Sequence, residues 1–320
     1  MEFIPETIFL IGHGSRDPEG SAEFEEMVRR MAARHAERSV VHGFLEFARP
    51  NIPAAVDQAV SRGVRSLLAV PVMLLDAGHA MRDIPGALAA ARRRHPDLVI
   101  RYGDHLGFHP NMMAGLIKVL RDAGEDPMAE RPGRGLLLVG RGSSDPVANS
   151  NFYKFSRLVW ERTRFETVEN AFIGITRPTL REGLERCRQI GLSHVVVAPY
   201  FLFTGALYKK IAAITKDFFE QYPGQSWSLT RYFGLESLVL DAVADRIADG
   251  LAGRHRAYRD EWMRNPEGIR YARHGHDHHH QAGHDHDHHP HHDHDHNHPR
   301  IESGQHREQP AAADGKTGGA

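Results

Sequence analysis

Short apolar runs alternate with amphipathic stretches along the first half of the chain. The apolar runs cover residues 7–11, 40–47, 67–75 and 98–102. Runs of this length, rich in β-branched residues and bounded by turn formers, are typical of buried parallel strands. The stretches between them, such as residues 21–38, 53–62 and 84–94, have the spacing of amphipathic helices. This alternation predicts an α/β fold in which parallel strands all end at one edge of a sheet, where ligands bind.

The pattern occurs twice, which predicts an internal duplication. The segment GHGSRDP at residues 12–18 recurs as GRGSSDP at residues 140–146, an offset of 128 residues. The same offset relates three further sets of residues: Phe44, Arg49 and Pro50 to Phe172, Arg177 and Pro178, Gly63 to Gly191, and Pro71 to Pro199. Chance matches would not keep one register through separated segments. We therefore expect two tandem parallel-sheet domains, residues 1–128 and 133–255, followed by a linker and tail over residues 256–320.

Composition narrows the class of protein. A net charge of −1 leaves no electrostatic footprint for nucleic acid. The single cysteine, Cys187, excludes an intrachain disulfide framework and a four-cysteine iron–sulfur cluster, and no organic cofactor is expected. The N-terminus lacks a basic leader pattern. Residues 191–208 carry no Asp, Glu, Lys or Arg, but they include a histidine, a proline and a glycine, so they predict a buried strand and turn. We expect a cytoplasmic protein without a membrane segment.

Histidine is concentrated near the C-terminus. Of 24 histidines, fourteen fall between residues 274 and 298, together with five aspartates. They are His274, His276, His278, His279, His280, His284, His286, His288, His289, His291, His292, His294, His296 and His298. Cloning tags are usually uninterrupted and terminal, whereas this tract is interleaved with Asp and followed by 22 residues. Too polar to bury a core, it predicts a disordered reservoir that stores or delivers a metal.

Three further side chains are placed at the predicted ligand-binding edge. His13 directly follows the first strand, Glu46 lies at the end of the second, and His79 follows the third. Imidazole and carboxylate together suit divalent first-row metals such as Co, Ni, Fe and Zn, and a histidine can also accept a proton. These three residues are therefore candidate metal ligands and catalytic groups.

The second copy of the repeat provides an internal control. At the offset of 128 residues, the three candidates are replaced by Arg141, Gly174 and Leu207, while flanking residues persist. Residues needed only for folding would be expected in both copies, so a functional role is favoured. Nucleotide binding is disfavoured, because Asp17 and Asp145 occupy the position of the third glycine in the dinucleotide fingerprint.

The segments GHGSRDP at residues 12–18, GFLE at 43–46 and GH…DIP at 78–85 resemble the sirohydrochlorin cobaltochelatase family, in its long, duplicated form with a histidine-rich stretch. The resemblance implies a chelatase-like fold and ATP-independent insertion of Co²⁺ into sirohydrochlorin, for cobalamin biosynthesis. It assigns the metal-binding and catalytic roles to His13, His79 and Glu46. Some long members carry a cysteine motif for an iron–sulfur cluster, which one cysteine cannot supply.

This reading makes the tetrapyrrole the small-molecule substrate and a divalent metal, cobalt first, the second substrate. Basic side chains beside the edge would bind the carboxylates of sirohydrochlorin: Arg16, Arg82, Arg141, Lys209 and Lys210. We expect one active site in the cleft, with the second half as its opposite wall, and the fusion suits a monomeric pseudo-dimer. Two alternatives stay open. Iron or nickel replaces cobalt, because all accept these ligands, or the chain is a non-enzymatic metal store or chaperone that acts through its tail.

Overall fold

The structure is a computed structural model that describes residues 5–75 and 82–254. Strands and helices alternate throughout, as the apolar pattern predicts. The first half contains β1 (Thr7–Gly12), α1 (Pro18–Arg34), β2 (Ser39–Phe44), α2 (Ile52–Ser61), β3 (Ser66–Pro71), α3 (Ile84–Arg94), β4 (Val99–Tyr102) and α4 (Pro110–Asp122). The second contains β5 (Arg134–Gly140), α5 (Pro146–Glu161), β6 (Thr167–Phe172), α6 (Leu180–Ile190), β7 (His194–Pro199), α7 (Ala206–Gln221), β8 (Ser226–Leu229) and α8 (Ser237–Leu251).

Each half builds a parallel four-stranded sheet, with strand orders β2-β1-β3-β4 and β6-β5-β7-β8. The predicted α/β class and the duplication are thereby confirmed. The buried strand predicted within residues 191–208 is confirmed as β7. No helix in residues 5–75 and 82–254 is long and apolar enough to cross a membrane.

The repeated GxGSxDP segment is a turn between a strand and a helix. Asp17 and Asp145 cap α1 and α5 with their side chains, and each is followed by a proline in the first helical turn. Gly14 and Gly142 have φ values of 88° and 85°. A Cβ on Gly14 would lie 1.8 Å from the Glu46 carbonyl oxygen, so the backbone of the neighbouring loop leaves room only for glycine. Close backbone packing accounts for these glycines without a bound phosphate.

Both faces of each sheet are buried, which explains the nearly continuous apolar strands. Along β1, Ile8 and Leu10 point into a hydrophobic cluster that also contains Leu136 and Leu138 of β5. Phe9 and Ile11 point the other way, into a cluster built from the first half alone. A third cluster covers the outer face of the second sheet. The two halves therefore share a core, and both sheets belong to one compact unit.

The last helix of the second half strengthens this connection. Helix α8 packs on β3, where a Cβ on Gly250 would approach the Leu68 side chain to 2.6 Å. The Arg101 guanidinium donates to the Gly250 and Leu251 carbonyls at 2.9 and 3.0 Å. A first-half arginine thus caps the C-terminus of a second-half helix. The predicted boundary at residues 128 and 133 separates the sheets along the chain, but α8 packs on the sheet of the first half.

Two strand ends differ from the predicted ones. The apolar runs predict strands over 40–47 and 67–75, whereas β2 ends at Phe44 and β3 at Pro71. After β2 the backbone turns sharply: Phe47 has a φ of 59°, and the Ala48 amide donates to the Glu46 carbonyl at 2.7 Å. Apolar character continues past both strands because the side chains line a cavity, where burial does not require a strand.

A charged cluster is buried at the opposite end of the second sheet. Arg134, at the start of β5, is 2% exposed, and its guanidinium donates to the Asp126 and Ala129 carbonyls at 2.8 and 2.6 Å. Its Nη1 lies 3.5 Å from the Glu125 carboxylate. Burial opposes ionisation of Glu125, but hydrogen bonds with His194 and Ser228 outweigh it and leave the Glu125 pKa below its usual value. The cluster anchors residues 125–134 against β5, β7 and β8.

Candidate active site

A cavity of about 500 Å³ lies at the C-terminal ends of the central strands, where parallel sheets bind ligands. Both halves line it, through the turns after β1 and β5 and the segments after β3 and β7. Most lining side chains are apolar, and the polar ones include His13, Arg16, Arg141 and Asn149. The volume falls in the range typical of small-molecule sites. The predicted cleft formed by both repeats is therefore present.

His13 directly follows β1 and reaches across the cavity to the second half. Its Nδ1 lies 3.1 Å from the Gly14 carbonyl oxygen, and its Nε2 lies 3.3 Å from Nη1 of Arg141. A carbonyl only accepts and a guanidinium only donates, so these partners assign the proton to Nδ1 and the lone pair to Nε2. His13 and Arg141 are equivalent positions of the duplication, and the fold brings them into contact.

Glu46 lies beside His13 through the backbone. Its amide donates to the His13 carbonyl at 2.9 Å, because β2 and β1 are adjacent and end together. The Glu46 side chain is half-buried and is not among the described residues that line the cavity. Within residues 5–75 and 82–254, no group of three His, Cys, Asp or Glu side chains is placed to hold a metal ion. His79 and the fourteen tail histidines lie outside the described residues.

Phe47 is a functional candidate that sequence reasoning missed. It is 52% exposed and lines the cavity. Its ring stacks on the His13 ring with centroids 6.1 Å apart, and the Arg16 guanidinium lies 4.9 Å from the Phe47 ring centroid. A non-glycine residue with positive φ is uncommon, and such strained residues cluster at binding sites. The equivalent Ile175 repeats the conformation with a φ of 67° and is 63% exposed. Only the structure reveals this backbone conformation.

The predicted substrate-binding cations divide into two groups. Arg16 and Arg141 line the cavity. Arg82, Lys209 and Lys210 are exposed and are not part of the described lining. The Arg82 Nε lies 3.3 Å from the Asp83 carboxylate. The Lys209 ammonium binds Asp17 and Glu19 at 2.8 and 2.9 Å, and the hydrogen bond to Asp17 contributes most to raising the Lys209 pKa. Lys209 thus links the two halves.

Tyr200 is a second residue that sequence reasoning missed. It follows β7, lines the cavity, and packs its ring 4.6 Å from that of Phe155 and 5.3 Å from that of Phe233. Its hydroxyl is buried without a hydrogen-bond partner among the described residues. Burial raises the Tyr200 pKa well above its usual value, so the hydroxyl stays protonated. Its counterpart after β3 is Val72, a difference between the repeats that the sequence alignment alone could have shown.

The Tyr200→Phe variant is expected to be more stable than the wild type by about 1–2 kcal/mol, because an unsatisfied buried hydroxyl carries a desolvation cost. The measurement is the free energy of unfolding in urea. Tyr232→Phe is the matched control: its hydroxyl donates to the Glu23 carboxylate at 2.6 Å, so its loss should destabilise the protein. A lower stability of Tyr200→Phe would mean that the hydroxyl has a partner in solution.

Comparison with known proteins identifies the fold and the duplication. The CbiX family matches twice, over residues 7–123 and 135–250. The chain is 37% identical over 250 residues to the sirohydrochlorin cobaltochelatase of Priestia megaterium, covering 77% of this chain and 80% of that protein. It is 26% identical over 247 residues to the sirohydrochlorin ferrochelatase of Bacillus subtilis (77% and 92%).

The solved structures agree with the sequence relatives. SirB from Bacillus subtilis with Fe³⁺ superimposes with a TM-score of 0.68 at 25% identity, over 78% of this chain and 97% of that chain. The match spans both sheets, and both repeats match the family separately. The chain therefore belongs to the CbiX family, with one family unit in each half of its duplicated fold.

Proposed function

We propose that this protein is an ATP-independent chelatase that inserts Co²⁺ into sirohydrochlorin, a step in cobalamin biosynthesis. The observation that carries the proposal is the cavity between the repeats, which brings His13 from one strand end to face Arg141 from the equivalent one. A histidine with an available lone pair and an arginine match the two substrates, a divalent metal and a polycarboxylate. The 37% identical relative from Priestia megaterium carries the same activity in its name.

The chemistry requires a moderate metal site and a proton acceptor. Insertion strips water from the metal and removes the pyrrole protons, while the ring nitrogens replace the protein ligands. In our proposal His13, Glu46 and His79 hold the metal on one face of the macrocycle, and one of them accepts a proton. His and carboxylate ligands bind a divalent metal less tightly than several thiolates would, so they permit its release into the ring.

The tetrapyrrole would bind between the two halves. Arg16 and Arg141 are the cavity-lining cations that would pair with its carboxylates. The exposed Phe47 ring, held between His13 and Arg16, offers an apolar surface to the macrocycle. Arg82 and Lys210 remain candidates for the rim, whereas Lys209 would have to leave Asp17 and Glu19 to contribute.

Metal preference is the part of the proposal that the fold supports least, because relatives include both cobaltochelatases and ferrochelatases. The test is anaerobic incubation of the full chain with sirohydrochlorin and Co²⁺, Fe²⁺ or Ni²⁺, followed by absorbance. We expect the highest kcat/KM with Co²⁺. A higher value with Fe²⁺ or Ni²⁺ would assign the enzyme to sirohaem or nickel chemistry. No insertion with any metal would contradict a chelatase.

Deletion of residues 274–298 separates the enzyme from a metal store that acts through its tail. Because the cavity lies within residues 12–208, the deletion should leave the insertion rate unchanged at saturating Co²⁺ and lower it when Co²⁺ is limiting. The assay is absorbance at both cobalt concentrations, and deletion of residues 299–320 is the control. Complete loss of insertion at saturating Co²⁺, in a protein that remains folded, would favour the non-enzymatic store.

A further inference from the structure

The contact between Arg141 and His13 places a cation on the nitrogen that a metal would need. His13 uses Nδ1 toward the Gly14 carbonyl, which leaves Nε2 as the atom with a lone pair. Nη1 of Arg141 lies 3.3 Å from that Nε2. One lone pair cannot accept a hydrogen bond and coordinate a metal at the same time. The guanidinium therefore competes with the metal both for the nitrogen and through charge repulsion.

Arg141 is built to leave this position. Its side chain is exposed at the turn after β5, so it can reorient in solvent. A guanidinium binds a carboxylate through two parallel charge-assisted hydrogen bonds, which are stronger than a single bond to a neutral imidazole. A carboxylate that enters the cavity offers the better partner.

We propose that Arg141 blocks the metal-binding nitrogen of His13 until a carboxylate of the tetrapyrrole draws the guanidinium away. This inference rests on the proposed function and adds to it a coupling between the two substrates. By reciprocity, the tetrapyrrole tightens metal binding at His13 and the metal tightens tetrapyrrole binding by the same factor. The empty enzyme then binds metal weakly at its catalytic position and does not trap it there.

The duplication makes this device possible. Equivalent strand ends from the two sheets meet across the cavity, so the residue that replaces His13 in the second repeat faces it directly. An imidazole at both positions would present two ligands to one ion and hold it more tightly. An arginine at one of them opposes binding instead, which suits a site that must release its metal.

The test is a calorimetric titration of the full chain with Co²⁺ alone, without tetrapyrrole. Tail histidines also bind cobalt, so each variant is paired with its His13→Ala derivative, and the difference isolates the His13-dependent component. In Arg141→Met, this component should tighten by about ten- to a hundredfold, the scale of one hydrogen bond to a charged group. Arg141→Lys keeps the charge with a shorter, single-headed donor and should fall between the wild type and Arg141→Met.

Arg16→Met is the matched control, because it removes one positive charge from the same cavity without the hydrogen bond to His13. Equal affinities in the wild type and Arg141→Met would overturn the inference, and so would an equal tightening in Arg16→Met. A second readout is the KM for sirohydrochlorin, which should rise in Arg141→Met while the KM for Co²⁺ falls; parallel changes would contradict the coupling. The cobalt titration involves no insertion, so its failure is distinguishable from a failure of wild-type chelatase activity.

Discussion

The His13→Ala variant is expected to insert cobalt about a hundred- to ten-thousandfold more slowly than the wild type, the range for loss of a positioned acid–base group. His13 contributes the imidazole that follows β1 at the floor of the cavity, with its Nε2 directed toward the second half. In our proposal this nitrogen holds the metal during transfer to the ring. The measurement is the rate of change in sirohydrochlorin absorbance at saturating Co²⁺.

Two controls sharpen this result. His95→Ala removes a histidine that pairs with Asp57 at 2.7 Å outside the cavity, and its rate should match the wild type. Free imidazole should partly restore the rate of His13→Ala, because the truncated side chain leaves space in the cavity. A His13→Ala variant that inserts cobalt at the wild-type rate would show that the proposed site is misplaced.

The Arg134→Ala variant is expected to lower the free energy of unfolding by about 3–5 kcal/mol, the cost of breaking a buried ion pair from one side. The substitution leaves the Glu125 carboxylate, 7% exposed, without its arginine, and the Asp126 and Ala129 carbonyls without their donor. It also removes the guanidinium packed 4.5 Å from the Phe165 ring centroid. Urea denaturation followed by circular dichroism measures the change.

Arg157→Ala is the comparison for Arg134→Ala. Arg157 pairs with Glu161 one helical turn away, but both side chains are exposed, and such pairs contribute about 0–1 kcal/mol. A loss for Arg134→Ala no greater than that for Arg157→Ala would show that the buried cluster does not stabilise the fold. The insertion rate of folded Arg134→Ala should stay normal, because Arg134 lies at the start of β5 and the cavity at the end.

The fold was largely predictable because its signals are local and repeated. Strand length, helical spacing and the Asp–Pro helix starts at positions 17–18 and 145–146 follow from short-range chemistry. The offset of 128 residues then extends the assignment from one half to the other. The strand ends near Phe47 and after Pro71 were placed too late, because apolar residues that line a cavity look like a continuing strand.

The candidate site was predictable in position and only partly in composition. His13 and Glu46 were placed at one sheet edge from the strand pattern, and Arg141 was recognised as the replacement of His13. The strained Phe47 and the unpaired hydroxyl of Tyr200 left no comparable trace, because backbone strain and hydrogen-bond satisfaction are properties of packing.

The sequence by itself determined the class of fold, its duplication and the edge at which a ligand binds, because these depend on periodicity, caps and repeated motifs. Only the tertiary structure decided how the repeats meet. The shared core, the packing of α8 on β3 and the approach of Arg141 to His13 join residues far apart in the chain. A constant offset shows that two positions are equivalent, whereas their contact depends on long-range burial of the apolar faces of the two sheets.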